Sequence, residues 1–191
     1  VLLYYDSETF LTAAYVYGDD GLFYGKVGDD GEWQTFSYTS EDILKAEVLN
    51  VNDHDLLVTL GTNGSSHVVS ESIVQICPDM TTEDLYDTSK DDDWPYAFTV
   101  GSNGLVAKIN TEAEPVPTCE IIDIGSTKNL YAVEVVDTNE IMILGEAGAV
   151  YFSGDGGSTW TVDGEIFTGY SDYDFLDSLW LSDGFVNFEY C

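Results

Sequence analysis

Along the chain, short apolar and aromatic runs alternate with polar, glycine-rich breaks, and one arrangement recurs. An apolar residue, a glycine, two mostly polar residues and a second glycine lead into an alternating run. The copies read Tyr17-Gly18-Asp19-Asp20-Gly21, Leu60-Gly61-Thr62-Asn63-Gly64, Val100-Gly101-Ser102-Asn103-Gly104 and Leu144-Gly145-Glu146-Ala147-Gly148, with a degenerate fifth, Leu181-Ser182-Asp183-Gly184. The closing glycines recur roughly every 40 residues. Gly, Asn and Asp tolerate positive φ, so each copy predicts a tight hairpin turn. The strand entering the turn is apolar at 57–60, 97–100 and 141–144, and the strand leaving it runs over 105–109, 149–152 and 185–188. Further strands are expected upstream at 46–51 and 130–136 and downstream at 72–77 and 118–122. One helical turn is expected near Thr81 to Tyr86.

Four strands per ~40 residues is the metre of a β-propeller blade, whereas a sandwich has no need of equal spacing. The expected fold is therefore all-β: one domain over 1–191, a propeller of about five four-stranded blades in repeats 1–43, 44–80, 81–126, 127–168 and 169–191. The last copy stops at Cys191, where its third strand would finish. Residues 1–6 either supply the missing fourth strand and close the ring or form the first strand of blade one; otherwise the domain is a fragment or part of a larger propeller, completed by other residues or another subunit. The absence of an initiator Met fits a processed product or a piece of a longer chain.

The fourth copy carries the most specific motif. Ser153-Gly154-Asp155-Gly156-Gly157-Ser158-Thr159-Trp160 satisfies S-x-D-x-G-x-T-W and resembles the Asp-box, or BNR repeat, of sialidase-like and photosystem-assembly-factor-like propellers. That resemblance implies a turn between the third and fourth strands of a blade. Ser153, Asp155, Gly157, Thr159 and Trp160 would then be structural, with Trp160 between blades and the motif away from the ligand-binding face. Trp33 follows Gly21 by the same interval as Trp160 follows Gly148. Sialidases share an arginine cluster that grips the substrate carboxylate. All five basic residues here are lysines, so sialidase activity is not expected, and the arginine-rich face of the assembly factors has no counterpart.

The charge changes the picture of the surroundings more than that of the site. Thirty-six acidic residues against five lysines give a net charge of −31. Such a chain is not expected to bind nucleic acid or anionic lipid, both of which need basic patches. At 14% aromatic the chain is not expected to be disordered. An acidic skin repels itself, and ~1 M salt screens that repulsion to about 3 Å. The composition thus resembles that of extreme halophiles. No apolar run approaches the ~18 residues of a membrane span, and residues 1–5 are too short for a signal peptide. Cys77, Cys119 and Cys191 match no zinc spacing and are expected to be small buried hydrophobes. Asn63-Gly64-Ser65 is a glycosylation sequon.

No catalytic residue stands out. His54 and His67 fit no triad or metal spacing, and the Gly-x-x-Gly turns lack the lysine and helix of a phosphate loop. Trp94, Tyr96, Tyr170 and Tyr173 are the candidate exposed aromatics for a ligand or partner. Asp19, Asp20, Asp172, Asp174 and Asp177 are the candidate cation ligands, with Asp29, Asp30 and the run Asp91 to Asp93 beside them. No organic cofactor is expected, and bound K⁺, Na⁺, Mg²⁺ or Ca²⁺ is the cofactor class left open. The functional expectation is a non-enzymatic binding or assembly module for a protein partner or surface glycan, itself open to oligomerisation. Its setting would be extracellular, on a halophilic archaeal surface or in a haloarchaeal virion. The enzyme alternative is a non-sialidase glycoside hydrolase, whose mark would be paired carboxylates, one with a raised pKa, on the central face.

Overall fold

The computed structural model describes residues 2–6, 11–28, 31–51, 54–69, 74–77, 80–113, 117–162, 173–180 and 186–190. Four blades are antiparallel meanders whose strands pair in chain order. Blade one holds β1 (Leu2–Asp6), β2 (Leu11–Tyr17), β3 (Phe23–Val27) and β4 (Gln34–Phe36). Blade two holds β5 (Ile43–Val51), β6 (His54–Gly61), β7 (Ser66–Val69) and β8 (Val74–Gln75). Blade three holds β9 (Leu85–Lys90), β10 (Tyr96–Gly101), β11 (Val106–Asn110) and β12 (Thr118–Ile121). Blade four holds β13 (Leu130–Val135), β14 (Ile141–Gly145), β15 (Ala149–Ser153) and β16 (Thr161–Val162). A hairpin of β17 (Phe175–Trp180) and β18 (Val186–Tyr190) follows. The first strands pack side by side in the order β1, β5, β9, β13, β17, and so line a common axis. This is the architecture of a β-propeller.

The apolar core is divided among the joints between blades. Phe23, Ile43, Ala46 and Leu57 join blades one and two. Leu49, Val58 and Leu60 meet Leu85, Ala97 and Ile109 between blades two and three. Phe98, Val100 and Val106 meet Leu130, Ile141 and Ile143 between three and four. Leu144 and Val150 receive Phe175 of β17. Burying apolar area at ~25 cal/mol per Å² gives each joint its stability. A blade is thus held by its neighbours more than by itself.

Two expectations are corrected. Residues 81–86 form no helical turn: Thr81 Oγ1 accepts the Glu83 amide in a tight bend, and Leu85 and Tyr86 already belong to β9. Cys77 and Cys119 are not free thiols but a disulfide, with Cα atoms 5.9 Å apart, stapling the segment after β8 to β12 of the next blade. Their separation along the chain concealed a pairing made only once the blades are side by side. The fifth copy, 181–184, lies outside the described residues, while β17 packs against β13 as an inner strand. At the start of the chain, β1 (Leu2–Asp6) pairs with β2 as the first strand of blade one.

The Gly-x-x-Gly hairpins all close the same way. Asp20, Asn63, Asn103 and Ala147 hold φ between 52° and 55°, and Gly21, Gly64, Gly104 and Gly148 hold it between 67° and 75°. A Cβ on Gly104 would also run into the Ser126 carbonyl, so glycine is required twice over. That carbonyl belongs to the segment entering the next blade. Because strand direction alternates, these hairpins and the blade-to-blade connectors share one face, and the third-to-fourth-strand turns lie on the other.

Candidate functional site

The inner strands place an axial cavity of about 350 Å³ among β5, β9 and β13. Lys45, Glu47, Asp87, Ser89 and Glu134 line it. The side-chain period of a strand explains the set: 45 and 47, and 87 and 89, lie two apart and face the same side. Lys45 Nζ is 2.9 Å from Asp87 Oδ1 and 3.6 Å from Glu47 Oε2, so one ammonium bridges two carboxylates and two blades. The other Asp87 oxygen, Oδ2, accepts the Val133 amide of blade four at 2.9 Å. Ser89 Oγ accepts the Val135 amide at 3.0 Å.

Asp87 is only 6% exposed. Burial pushes its carboxyl above the ordinary value, against the pull of Lys45 and the Val133 amide. Burial likewise raises Glu47, with Lys45 opposing and Asp87 adding. A carboxylate pair with raised pKa on the axis is therefore present. Both members, however, are held by Lys45, and both oxygens of Asp87 have protein partners. Lys90, at the cavity edge, donates to the Asp91 and Asp92 carbonyls.

The motif turn lies on the opposite face. Asp155 Oδ1 accepts Ser153 Oγ at 3.0 Å and the Thr159 amide at 2.8 Å, and Oδ2 accepts Thr159 Oγ1 at 2.7 Å. These bonds, from Thr159 first, hold Asp155 below the usual carboxylate range. Gly157 donates to Ser153 Oγ at 2.9 Å, and Trp160 Nε1 donates to the Gly157 carbonyl at 3.1 Å. The Trp160 ring meets Phe98 of blade three edge-on at 6.2 Å.

Trp94 and Tyr96 belong to that same joint. Both are half-buried; Trp94 stacks on Phe98 at 5.8 Å and meets Tyr96 edge-on at 5.3 Å. Lys108 Nζ sits 4.3, 5.1 and 5.6 Å from the Tyr96, Trp94 and Phe98 rings and donates to the Gly156 carbonyl of blade four at 3.1 Å. The rings thus pack around the chain's own lysine rather than forming an open aromatic shelf. Tyr173 is exposed, and its carbonyl accepts the Gly148 amide at 2.7 Å. Tyr170 and Asp172 lie outside the described residues, as does the side chain of Asp177.

Of the proposed cation ligands, Asp174 Oδ1 accepts the Ala147 amide and Asp20 N donates to Asp42 Oδ1, while Asp19 is exposed. Among the described residues no three His, Cys, Asp or Glu side chains converge as a metal site.

A second repeat, Ser/Thr-x-x-Asp/Asn, was missed in the sequence and stands ahead of β5, β9 and β13: Thr39 to Asp42, Thr81 to Asp84, Ser126 to Asn129. Asp42, Asp84, Asn129 and Asp174 each accept, through Oδ1, the amide of the positive-φ residue in the preceding blade's hairpin, at 2.8 to 3.3 Å. The amides of Asp42, Asp84 and Asn129 donate to Thr62, Ser102 and Glu146 in their own blade's hairpin. Each Asx residue therefore brackets two blades. The signal was legible, since these residues recur at the same period as the glycines.

No protein-family model matches the chain, and no curated protein matches it. Among solved structures it is similar to YCF48 bound to D1 peptide, with a TM-score of 0.66 and 19% identity over 93% of this chain and 58% of that one. It is similar also to YCF48 from Cyanidioschyzon merolae, with a TM-score of 0.66 and 16% identity over 92% of this chain and 63% of that one. The chain thus spans less than two thirds of the length of either neighbour. At these identities the likeness concerns the fold, and the fold is a β-propeller.

Proposed function

We propose that the chain is a non-enzymatic propeller that receives a protein partner at its axial cavity, as a binding or assembly module exposed to high salt on a halophilic archaeal surface or haloarchaeal virus particle. The observation that carries this reading is the commitment of the axial groups. Lys45 pairs with both Asp87 and Glu47, and the Val133 amide occupies the second Asp87 oxygen. A general acid needs an oxygen that reaches its substrate, and both Asp87 oxygens are already engaged within the chain. Support for a protein partner comes from a neighbour of the same fold, whose structure holds a bound peptide. The disulfide suits an oxidising compartment, and the net charge of −31 suits high salt. A surface glycan is the other partner class such a face accommodates, and no cofactor enters this reading.

The test is affinity recovery of the partner from the native high-salt source with wild type and with Ser89→Trp, which fills the cavity. Recovery lost in the variant supports the reading; undiminished recovery overturns it. The glycosidase reading keeps one favourable observation, the raised pKa of Glu47 beside Asp87. Hydrolysis of an aryl-glycoside panel that Glu47→Gln abolishes would establish it instead.

A further inference from the structure

Strand pairing aligns one rung across all four blades. It comprises Tyr15, Gly25 and Gln34 in blade one and Val58, Val68 and Val74 in blade two. In blade three it is Phe98, Lys108 and Glu120, and in blade four Met142, Phe152 and Thr161. Gly25 therefore stands where blade three has Lys108, and Tyr15 where it has Phe98. The space follows the side chain. The joint filled by Val68 keeps a cavity of about 40 Å³, whereas the joint beside Gly25 holds one of about 310 Å³.

This larger cavity is lined by Tyr15, Phe36, Glu32 and Gln34, with Leu57 opposite on blade two. Its rings are already arranged around the glycine. Tyr15 stacks on Phe23 at 5.5 Å, Phe36 meets Phe23 edge-on at 5.7 Å, and a Cβ on Gly25 would lie 3.0 Å from the Tyr15 ring and 3.1 Å from the Phe36 ring. Glu32 and Gln34 are exposed at its mouth.

We infer that the cavity between blades one and two is a seat for the ammonium of a lysine side chain presented by a protein partner, the external counterpart of Lys108. Three observations converge on that chemistry. The equivalent rung of blade three shows a lysine ammonium over three aromatic rings, an arrangement that attracts cations through the ring quadrupoles. Glu32 supplies a carboxylate at the mouth, as the Gly156 carbonyl supplies an acceptor to Lys108. The net charge of −31 favours a cationic guest and disfavours an anionic one. The inference rests on the partner being a protein, as proposed above, but not on the axial cavity being where it docks.

The test is an aromatic NMR titration of the whole chain in KCl, with Nα-acetyl-lysine N-methylamide as probe and its norleucine analogue as control. The lysine compound is expected to shift the Tyr15 and Phe36 ring resonances, and the norleucine compound to leave them in place. Glu32→Gln should weaken the response about two- to five-fold, as removing an exposed ion pair does. Gly25→Lys, which supplies the ammonium from within the chain, should abolish it. Equal shifts with norleucine, no shift with lysine, or an undiminished response in Gly25→Lys would each overturn the inference. Should Gly25→Lys not fold, Tyr15→Leu takes its place with the same expected loss. Tyr15 and Phe36 line this cavity and not the axial one, so failure of the partner-docking reading and failure of this one are read separately.

Discussion

At the level of single residues, the inter-blade bracket makes the sharpest demand. Asp84 Oδ1 accepts the Asn63 amide of blade two, and its own amide donates to Ser102 of blade three. Asn129 does the corresponding work one blade on, with the same atoms. Asp84→Asn should therefore leave stability nearly unchanged, while Asp84→Ala should cost about 1 kcal/mol, the net worth of one such hydrogen bond. Urea denaturation of the two variants checks this, and equal destabilisation would show that charge rather than the accepting oxygen matters. At Glu83, donation from Ser102 and Asn103 lowers the carboxyl pKa. Blade four has Lys128 there instead, donating to the Ala147 carbonyl at 3.0 Å. The bracket thus tolerates reversal of charge so long as a donor meets an acceptor.

Among the elements, the staple between blades two and three stands apart because it is covalent. Cys77 and Cys119 close a loop across a sequence separation of 42, and loop-closure entropy values such a link at about 4 kcal/mol. Reduction should lower the melting temperature, and Cys77→Ala with Cys119→Ala should reproduce that loss without further sensitivity to reductant. If reductant leaves the wild type unaffected, the link does not hold the blades. The hairpins were legible beforehand, because Gly64, Gly104 and their equivalents meet a backbone requirement that only glycine satisfies well. The staple was not, since nothing local at Cys77 or Cys119 records which blades become neighbours. The axial set hid for a related reason. Lys45 and Asp87 are ordinary strand residues whose meeting depends on β5 lying against β9.

For the whole molecule, titration and screening act together. Burial raises Asp87 and Glu47 from ordinary values of 3.8 and 4.5, so the folded state holds those protons more tightly than the unfolded chain. Their contribution is fully present below the ordinary values and is lost as pH climbs through the raised ones. Asp137 and Asp155 are lowered by hydrogen bonds, and their contribution is lost only as pH falls beneath the ordinary range. The melting temperature should therefore decline from about pH 4.5 towards neutrality. In concentrated KCl the part due to surface repulsion should vanish while the buried part survives. Glu47→Gln should flatten the remaining slope; a melting temperature that rises with pH in concentrated KCl would contradict the assignment. The lysines carry a last consequence. All five are half-buried, and Lys45, Lys90, Lys108 and Lys128 are tied to carboxylates or carbonyl oxygens. With no arginine in the chain, a protease that cuts after basic residues finds no freely extended target on the folded propeller, and digestion by such an enzyme must wait for the blades to separate.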